Sequence, residues 1–241
     1  MLLVPRPITL GKLNCLIVAP KACRATGLAV FCHGYGAPGD DLVSLSTEIL
    51  HSVKGIALLF PSAPISLAKE GILNGRAWWP LNLSRLQMGL PLDMNELTER
   101  EPAGSAEATA LLRVAIDECG DLLQLASQNI VLGGFSQGAM VAADCAFRSG
   151  KVWGGLCLLS GAPLRLSEWR REAEALSGRP VLQTHGRTDP VLPFSGAEAI
   201  RDTLTAAGMK VDFRPFAGGH TIPPVVSTSL PAFLRSACGI G

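Results

Sequence analysis

Residues 129–144 read NIVLGGFSQGAMVAAD: an apolar run, two glycines, one serine at Ser136 between Gly134 and Gly138, then small apolar residues again. A short uninterrupted Val/Ile/Leu run suits a strand buried on both faces of a parallel sheet. QGAMVAADCAFRSG (137–150), which ends in glycine, suits a helix. The five residues between them match Gly-x-Ser-x-Gly at Gly134, Ser136 and Gly138. In a strand–turn–helix setting such a serine is lifted above the sheet edge, and its neighbours must be small because the two backbones pass close together. The helix N-terminus behind it favours negative charge. The competing reading is a tight turn whose serine merely caps a helix, so the rest of the chain has to supply the partners.

Outward from this corner, apolar runs ending in turn residues recur: LNCLIVAP (13–20), GLAVFCHGYG (27–36), GIALLFPSAP (55–64), VWGGLCLLSG (152–161), PVLQTHG (180–186) and KVDFRPF (210–216). Helical patterns alternate with them over 40–52, 105–123, 137–150, 166–176, 195–208 and 226–237. Asp40 and Ser105 are the expected N-caps, Glu107 lies in a first turn where the helix dipole favours an acid, and Pro231 marks a kink or a true helix start. Alternation of this kind predicts an α/β fold with a mostly parallel central sheet covered by helices on both faces, in a single domain over 1–241. The irregular, apolar stretch at about 64–104 is long for a loop in a compact domain, which points to function.

Composition narrows the function classes. Apolar residues make up 48% of the 241, and charged residues 17%, enough to fill a core and too apolar for disorder. With 21 basic and 20 acidic residues the net charge is +1, so no electrostatic footprint for nucleic acid is expected. The seven cysteines form no C-x-x-C pair and no zinc-like cluster with histidine, so buried thiols in a reducing compartment are expected; nucleophilic catalysis by a serine would need no metal and no cofactor. The first residues, MLLVPRPITLGK, carry no basic start and are broken by two prolines, unlike a signal peptide. No apolar run approaches the about 18 residues of a spanning helix. The expectation is a soluble, cytoplasmic protein.

A serine needs a base to take its proton and an acid to hold that base in one tautomer. On a sheet of this type the chain order is Ser, Asp or Glu, then His. Of four histidines, His185 and His220 follow Ser136. His220 sits in the glycine-rich FAGGHTIPP after the last apolar run; His185 has no suitable acid between itself and Ser136 at a strand end. The acid is then Asp189 in HGRTDPVLP, after a buried strand, where active-site groups of open α/β sheets gather. Asp144 lies on the helix two turns past the corner, Asp202 on an amphipathic helix, and Asp212 inside an alternating strand. Two backbone N–H groups should face the developing oxyanion. Gln137, directly after the serine, supplies one. Tyr35, in the His33-Gly34-Tyr35-Gly36 loop, is assigned the other, and His33 is expected to orient that loop.

The motifs HGYGAPGDDL, FPSAP, RAWWPL, GGFSQGA, LSGAPL, HGRTDPVLP and GGHTIPP, in this order from about residue 27 to 236, resemble the phospholipase/carboxylesterase family of α/β-hydrolases, which includes acyl-protein thioesterases. The HGYG and RAWWP forms look closer to bacterial carboxylesterases than to eukaryotic thioesterases, which tend to have leucine where Tyr35 stands. The resemblance implies Ser136, Asp189 and His220 as catalytic residues and Tyr35 and Gln137 at the oxyanion positions. The activity it implies is hydrolysis of carboxylic esters, thioesters or lysophospholipids, so the partner is a small-molecule or lipid acyl ester. It also places RAWWPL near the active site. Gly71–Pro91, with Trp78 and Trp79, is therefore expected to wall the acyl or leaving-group pocket, the alternative being a cluster that only covers the sheet edge. Two other classes compete: a hydrolase scaffold kept as a binding protein, which typically lacks a catalytic group that this chain retains, and a serine peptidase, which usually carries a gating domain.

Overall fold

The computed structural model describes residues 4–20, 23–93, 98 and 101–240. Eight strands form one sheet in the order β1-β2-β4-β3-β7-β8-β9-β10: β1 Arg6–Leu10, β2 Leu13–Val18, β3 Gly27–Cys32, β4 Ile56–Pro61, β7 Ile130–Phe135, β8 Gly155–Leu159, β9 Pro180–Gly186 and β10 Lys210–Phe216. All pairs from β4 through β3 to β10 are parallel, while β2 runs antiparallel to both β1 and β4. A separate ribbon pairs β5 Ile65–Ser66 with β6 Arg76–Ala77. The helices are α1 Ser46–Ser52, the short α2 Ser84–Gln87, α3 Ser105–Leu123, α4 Gln137–Arg148, α5 Leu166–Glu172, α6 Phe194–Ala206 and α7 Pro224–Ala237. This is the mostly parallel, doubly covered sheet that the alternation of runs predicts.

Strand alternation divides the core. Leu28, Val30 and Cys32 of β3 face the cluster built with α3, α4, α5 and α6, while Ala29 and Phe31 face the cluster built with α1 and α7. Every residue of β3 and β4 is buried, as central strands covered on both sides require. The first strand is absent from the sequence reading. It carries Pro7, which an edge strand tolerates because no ladder bond is needed on the outer side, and Gly11 at φ 53° turns it into β2.

Two expected caps are not made. Asp40 precedes a 3₁₀ turn over Asp41–Leu45 rather than α1, and makes no side-chain cap bond. Gly104 at φ 86°, not Ser105, stands at the N-cap of α3, and Ser105 is buried inside the first turn. Glu107 does occupy that turn. The last helix starts at Pro224, the favoured first-turn position, and runs through Pro231. Of the expected loop at 64–104, residues 94–97, 99 and 100 lie outside the described residues.

The helix behind the serine corner is held by a buried carboxylate. Asp144 of α4 is fully buried and accepts four side-chain donors: Thr109 Oγ1 of α3 (3.0 Å), Arg148 (2.7 Å), Arg165 (2.7 Å) and Trp169 Nε1 of α5 (3.0 Å). Arg165, at the left-handed φ of 41°, reaches on to Glu172 (3.2 Å). Three helices thus share one charge whose lone pairs are all used. Removing one member of a buried pair leaves the rest uncompensated, so Asp144→Asn should lower unfolding free energy by about 3–5 kcal/mol. Urea denaturation measures this; a change under about 1 kcal/mol would show that the network is dispensable.

Candidate active site

The serine corner forms where β7 meets α4. Ser136 has φ 55° and ψ −122°, outside the ordinary regions for a residue with a side chain. Its N–H donates to Leu159 O of β8 (2.9 Å), and its carbonyl accepts from Ala139 (3.0 Å) and Met140 (3.2 Å). The flanking glycines are steric necessities. A methyl group on Gly138 would stand 1.9 Å from Cys32 O, and one on Gly134 would stand 2.4 Å from the same oxygen. Backbone therefore touches backbone at the end of β3, and the loop that follows β3 passes beside the serine. A methyl group on Gly34 would lie 3.3 Å from Ser136 Cβ.

Ser136, His220 and Asp189 are brought together. His220 Nε2 lies 2.9 Å from Ser136 Oγ, and Nδ1 lies 2.7 Å from Asp189 Oδ2. Because an ionised carboxylate only accepts, the Nδ1–H donates to Asp189 and Nε2 is left to accept from the serine hydroxyl. The imidazole rests on Phe135, ring centroids 4.8 Å apart. Asp189 Oδ1 accepts the N–H groups of Val191 (2.8 Å) and Leu192 (2.9 Å). Burial pushes the Asp189 carboxyl up, but the bonds from His220, Leu192 and Val191 outweigh it and hold the group below the usual carboxylate range.

The two loops that carry acid and base continue the parallel pair β9–β10 and are joined by Thr188. Its N–H and hydroxyl both donate to Gly218 O, at 3.1 and 3.0 Å. Ser160 holds the far side of the histidine loop: its hydroxyl donates to Thr221 O (3.2 Å) from a backbone at φ 47°. The sequence reading missed Ser160; its sole signal is its place at the end of β8, beside the serine corner.

The other histidines fall elsewhere. His33 is buried, donates from Nδ1 to Gly34 O (2.8 Å) and accepts Ala63 N–H at Nε2 (3.0 Å), so it does orient the loop after β3. His185 Nε2 donates to Leu192 O (3.0 Å) and lies 3.4 Å from Asp189 Oδ2, behind the acid rather than beside the serine. Asp212 pairs with Arg214 and Asp202 with Arg201 at the surface.

Tyr35 lies in the loop after β3 and Gln137 at the first position of α4, and neither backbone N–H has an acceptor among the described residues. Trp78 and Trp79 require a correction. They are 1% and 0% exposed and belong to the main core, so neither ring has a face open to substrate. Trp78 Nε1 donates to His33 O (3.0 Å), and the Gln137 side chain bonds Trp78 N–H and Trp79 O, both at 2.9 Å. The exposed apolar residues of the same stretch are Ile72, Leu73, Met88 and Leu90. Ile72 approaches Gly36 of the loop after β3, and Leu92 N–H donates to Val191 O (3.0 Å), so these residues belong to segments next to the two sides of the serine.

Among the described residues no group of three or more His, Cys, Asp or Glu could hold a metal ion, and no helix is long and apolar enough to cross a membrane.

A model of the phospholipase/carboxylesterase family matches residues 13–237. Acyl-protein thioesterase 1 of Gibberella zeae is 27% identical, with 91% of this chain and 94% of that protein covered. Carboxylesterase SOBER1 of Arabidopsis thaliana is 26% identical, over 80% and 82%. The solved structure of esterase PE8 superposes with a TM-score of 0.77 at 27% identity, over 92% of this chain and 97% of that one. The Bacillus cereus carboxylesterase, at 18% identity and a TM-score of 0.69 over 93% and 94%, shares the fold.

Acid should act first on the buried histidines. Burial holds His33 and His185 below the ordinary value of 6.5, against the opposing bonds to Gly34 and Leu192 carbonyls. The unfolded chain takes up protons near 6.5 while the folded chain resists, so this stability is present above about 6.5 and is lost as pH falls toward the lower folded values. Asp189, with its depressed value, contributes stability that is lost only further down, through and below the carboxylate range. The unfolding free energy should therefore drop between about pH 7.5 and 5.5, and drop less in His185→Gln. An equal drop in that variant removes His185 from the account.

Proposed function

The chain belongs to the phospholipase/carboxylesterase family, and from that premise we propose that it is a serine hydrolase cleaving carboxylic esters through an acyl-enzyme on Ser136. The observation that carries this reading is His220, hydrogen-bonded to Ser136 Oγ at 2.9 Å on one ring nitrogen and to Asp189 at 2.7 Å on the other.

Ser136 Oγ attacks the acyl carbon while its proton passes to His220 Nε2. The carbonyl oxygen becomes an oxyanion, and the N–H groups of Tyr35 and Gln137 donate to it. Asp189 keeps Nδ1 protonated and stabilises the imidazolium. His220 then gives its proton to the leaving oxygen, and the alcohol departs. In the second half a water gives a proton to Nε2 and attacks the acyl carbon. Collapse releases the carboxylic acid and returns the proton to Ser136. Thioesters follow the same path with sulfur as the leaving atom, and the names of the relatives above support both classes. Seven unpaired cysteines support a reducing, cytoplasmic setting.

Ser136→Ala should lower kcat by about 10⁴-fold or more, and Asp189→Asn, which disfavours the needed tautomer, by up to about 10⁴-fold. Mass spectrometry after fluorophosphonate treatment should put the adduct on the peptide containing Ser136. An adduct elsewhere, or near-normal turnover in Ser136→Ala, ends the assignment. Full activity in Asp189→Asn with none in Asp212→Asn names the other acid.

Acyl contacts are assigned to Ile72, Leu73, Met88 and Leu90 in place of the tryptophans. Apolar contacts discriminate by about 1–3 kcal/mol per methylene at most, so the preference should be graded, favouring short to medium chains over acetate. With p-nitrophenyl esters of increasing length, Leu73→Ser and Met88→Ser should flatten the rise of kcat/KM with chain length and leave acetate turnover intact. Trp79→Ala should instead cost about 3–5 kcal/mol of stability, as an emptied core site does. An unchanged profile in both serine variants, with a changed one in Trp79→Ala, returns the pocket to the tryptophans.

A further inference from the structure

The Gln137 side chain does something that neither a helix cap nor a core residue requires. It is 1% exposed, at the first position of α4, and both ends of its carboxamide are spent on the main chain of a distant segment. Oε1 accepts Trp78 N–H and Nε2 donates to Trp79 O, each at 2.9 Å, so both ends of the amide are bonded to one short stretch of main chain. The peptide 76–79 is in turn bonded to the loop after β3. Arg76 O accepts Gly36 N–H (2.9 Å), Arg76 N–H donates to Ala37 O (3.1 Å), and the Trp78 indole donates to His33 O (3.0 Å) with its ring beside the His33 imidazole, centroids 5.8 Å apart. The Arg76 guanidinium fixes the same peptide from behind, through the carbonyls of Ala63 and Pro64. Ala63 closes the circle by donating to His33 Nε2.

We infer that the Gln137 side chain is a positioning group: through the peptide Arg76–Trp79 it fixes the backbone N–H of Tyr35 and its own backbone N–H relative to one another. The inference rests on the assignment of those two groups as the oxyanion donors. They come from segments far apart in the chain, the loop after β3 and the start of α4. Steric contact brings the loops together, but contact through glycine backbone does not by itself set the direction of an N–H. The ladder from residues 33, 36 and 37 through 76, 78 and 79 to the carboxamide does, because each rung is a directional bond, and His33, Trp78, Trp79 and Gln137 are buried away from water. Donors displaced by a fraction of an ångström still tolerate a ground-state carbonyl but lose strength against the tetrahedral oxyanion. The effect therefore belongs in kcat rather than in KM.

The test compares wild type, Gln137→Met and Trp78→Phe, with rates normalised to active sites counted by fluorophosphonate titration. Gln137→Met keeps length and apolar bulk and removes both rungs. Trp78→Phe keeps a ring and removes the bond to His33 O. Each is assayed on an ester and on its thiono analogue, whose C=S accepts hydrogen bonds poorly. Gln137→Met should lose about 10- to 100-fold in kcat, less than the loss of a whole donor, with KM within about twofold, and its preference for the oxo ester should shrink. Trp78→Phe should show a smaller change of the same kind. A Gln137→Met enzyme with wild-type kcat and wild-type oxo preference overturns the inference, as does a loss confined to KM or one that vanishes on normalisation. Should that variant not fold, Trp78→Phe decides: an unshifted oxo preference sinks the inference. If wild type itself turns over both esters equally, the donor assignment is what has failed.

Discussion

Cys32 O at the end of β3 leaves no room for a side chain on Gly138 or Gly134, whose added methyl groups would stand 1.9 and 2.4 Å away. Much of the rest of the molecule follows from that contact. It forces strand, turn and helix into a corner too tight for Ser136 to keep an ordinary backbone, and such a conformation costs about 1–3 kcal/mol. The cost is offset locally by the bond from Ser136 N–H to Leu159 O and by the helix bonds that start at Ser136 O. The same contact lays the loop after β3 beside Ser136, so the N–H groups of Tyr35 and Gln137, without an acceptor among the described residues, lie on the two segments that meet there.

A corner under strain holds its shape only if the elements on either side cannot relax. On the helix side, Asp144 ties α4 to α3 and α5 through Thr109, Arg165 and Trp169. On the sheet side, β7 is paired in parallel with β3 and β8 along its length. The loops carrying acid and base have no such frame of their own; they borrow one from the β9–β10 pair and from the two hydrogen bonds of Thr188 to Gly218 O. The reactive groups thus sit on segments short enough to be fixed by a few hydrogen bonds.

What the sequence makes legible is what local chemistry dictates. Central strands must be apolar on both faces, so β3, β4, β7 and β8 read as uninterrupted runs. Ser136, Asp189 and His220 each follow a strand of the parallel part of the sheet, so their convergence at one sheet edge can be inferred without coordinates. The illegible parts are decided by distant partners. Strand β1 is short and bears a proline, and becomes a strand because β2 offers it a ladder. Ser105 looks like a cap, yet Gly104 turns the chain one residue earlier. Trp78 and Trp79 look like a pocket because nothing in the sequence says that a glutamine on another element will hold their backbone, nor that His33 will take the indole. The side-chain bonds of Gln137 have no local signature, and that of Ser160 has none beyond its place at the end of β8.

Two buried carboxylates separate support from chemistry. Asp144 meets two guanidinium groups, from Arg148 and Arg165, which neutralise it in place; its field is spent within the helix layer. Asp189 pairs with no lysine or arginine among the described residues and is held by two backbone N–H groups and His220. Neutral donors stabilise an anion without cancelling its charge, so that charge remains directed at the imidazole. A cation beside Asp189 would stabilise the resting protein but weaken the attraction that favours a proton on His220 Nε2. His185, held neutral by burial behind the acid, satisfies that requirement: it fills the space next to Oδ2 and donates a hydrogen bond to Leu192 O, without placing a positive charge there. The same low-dielectric burial that makes His185 a poor base thus keeps Asp189 effective as the partner of His220.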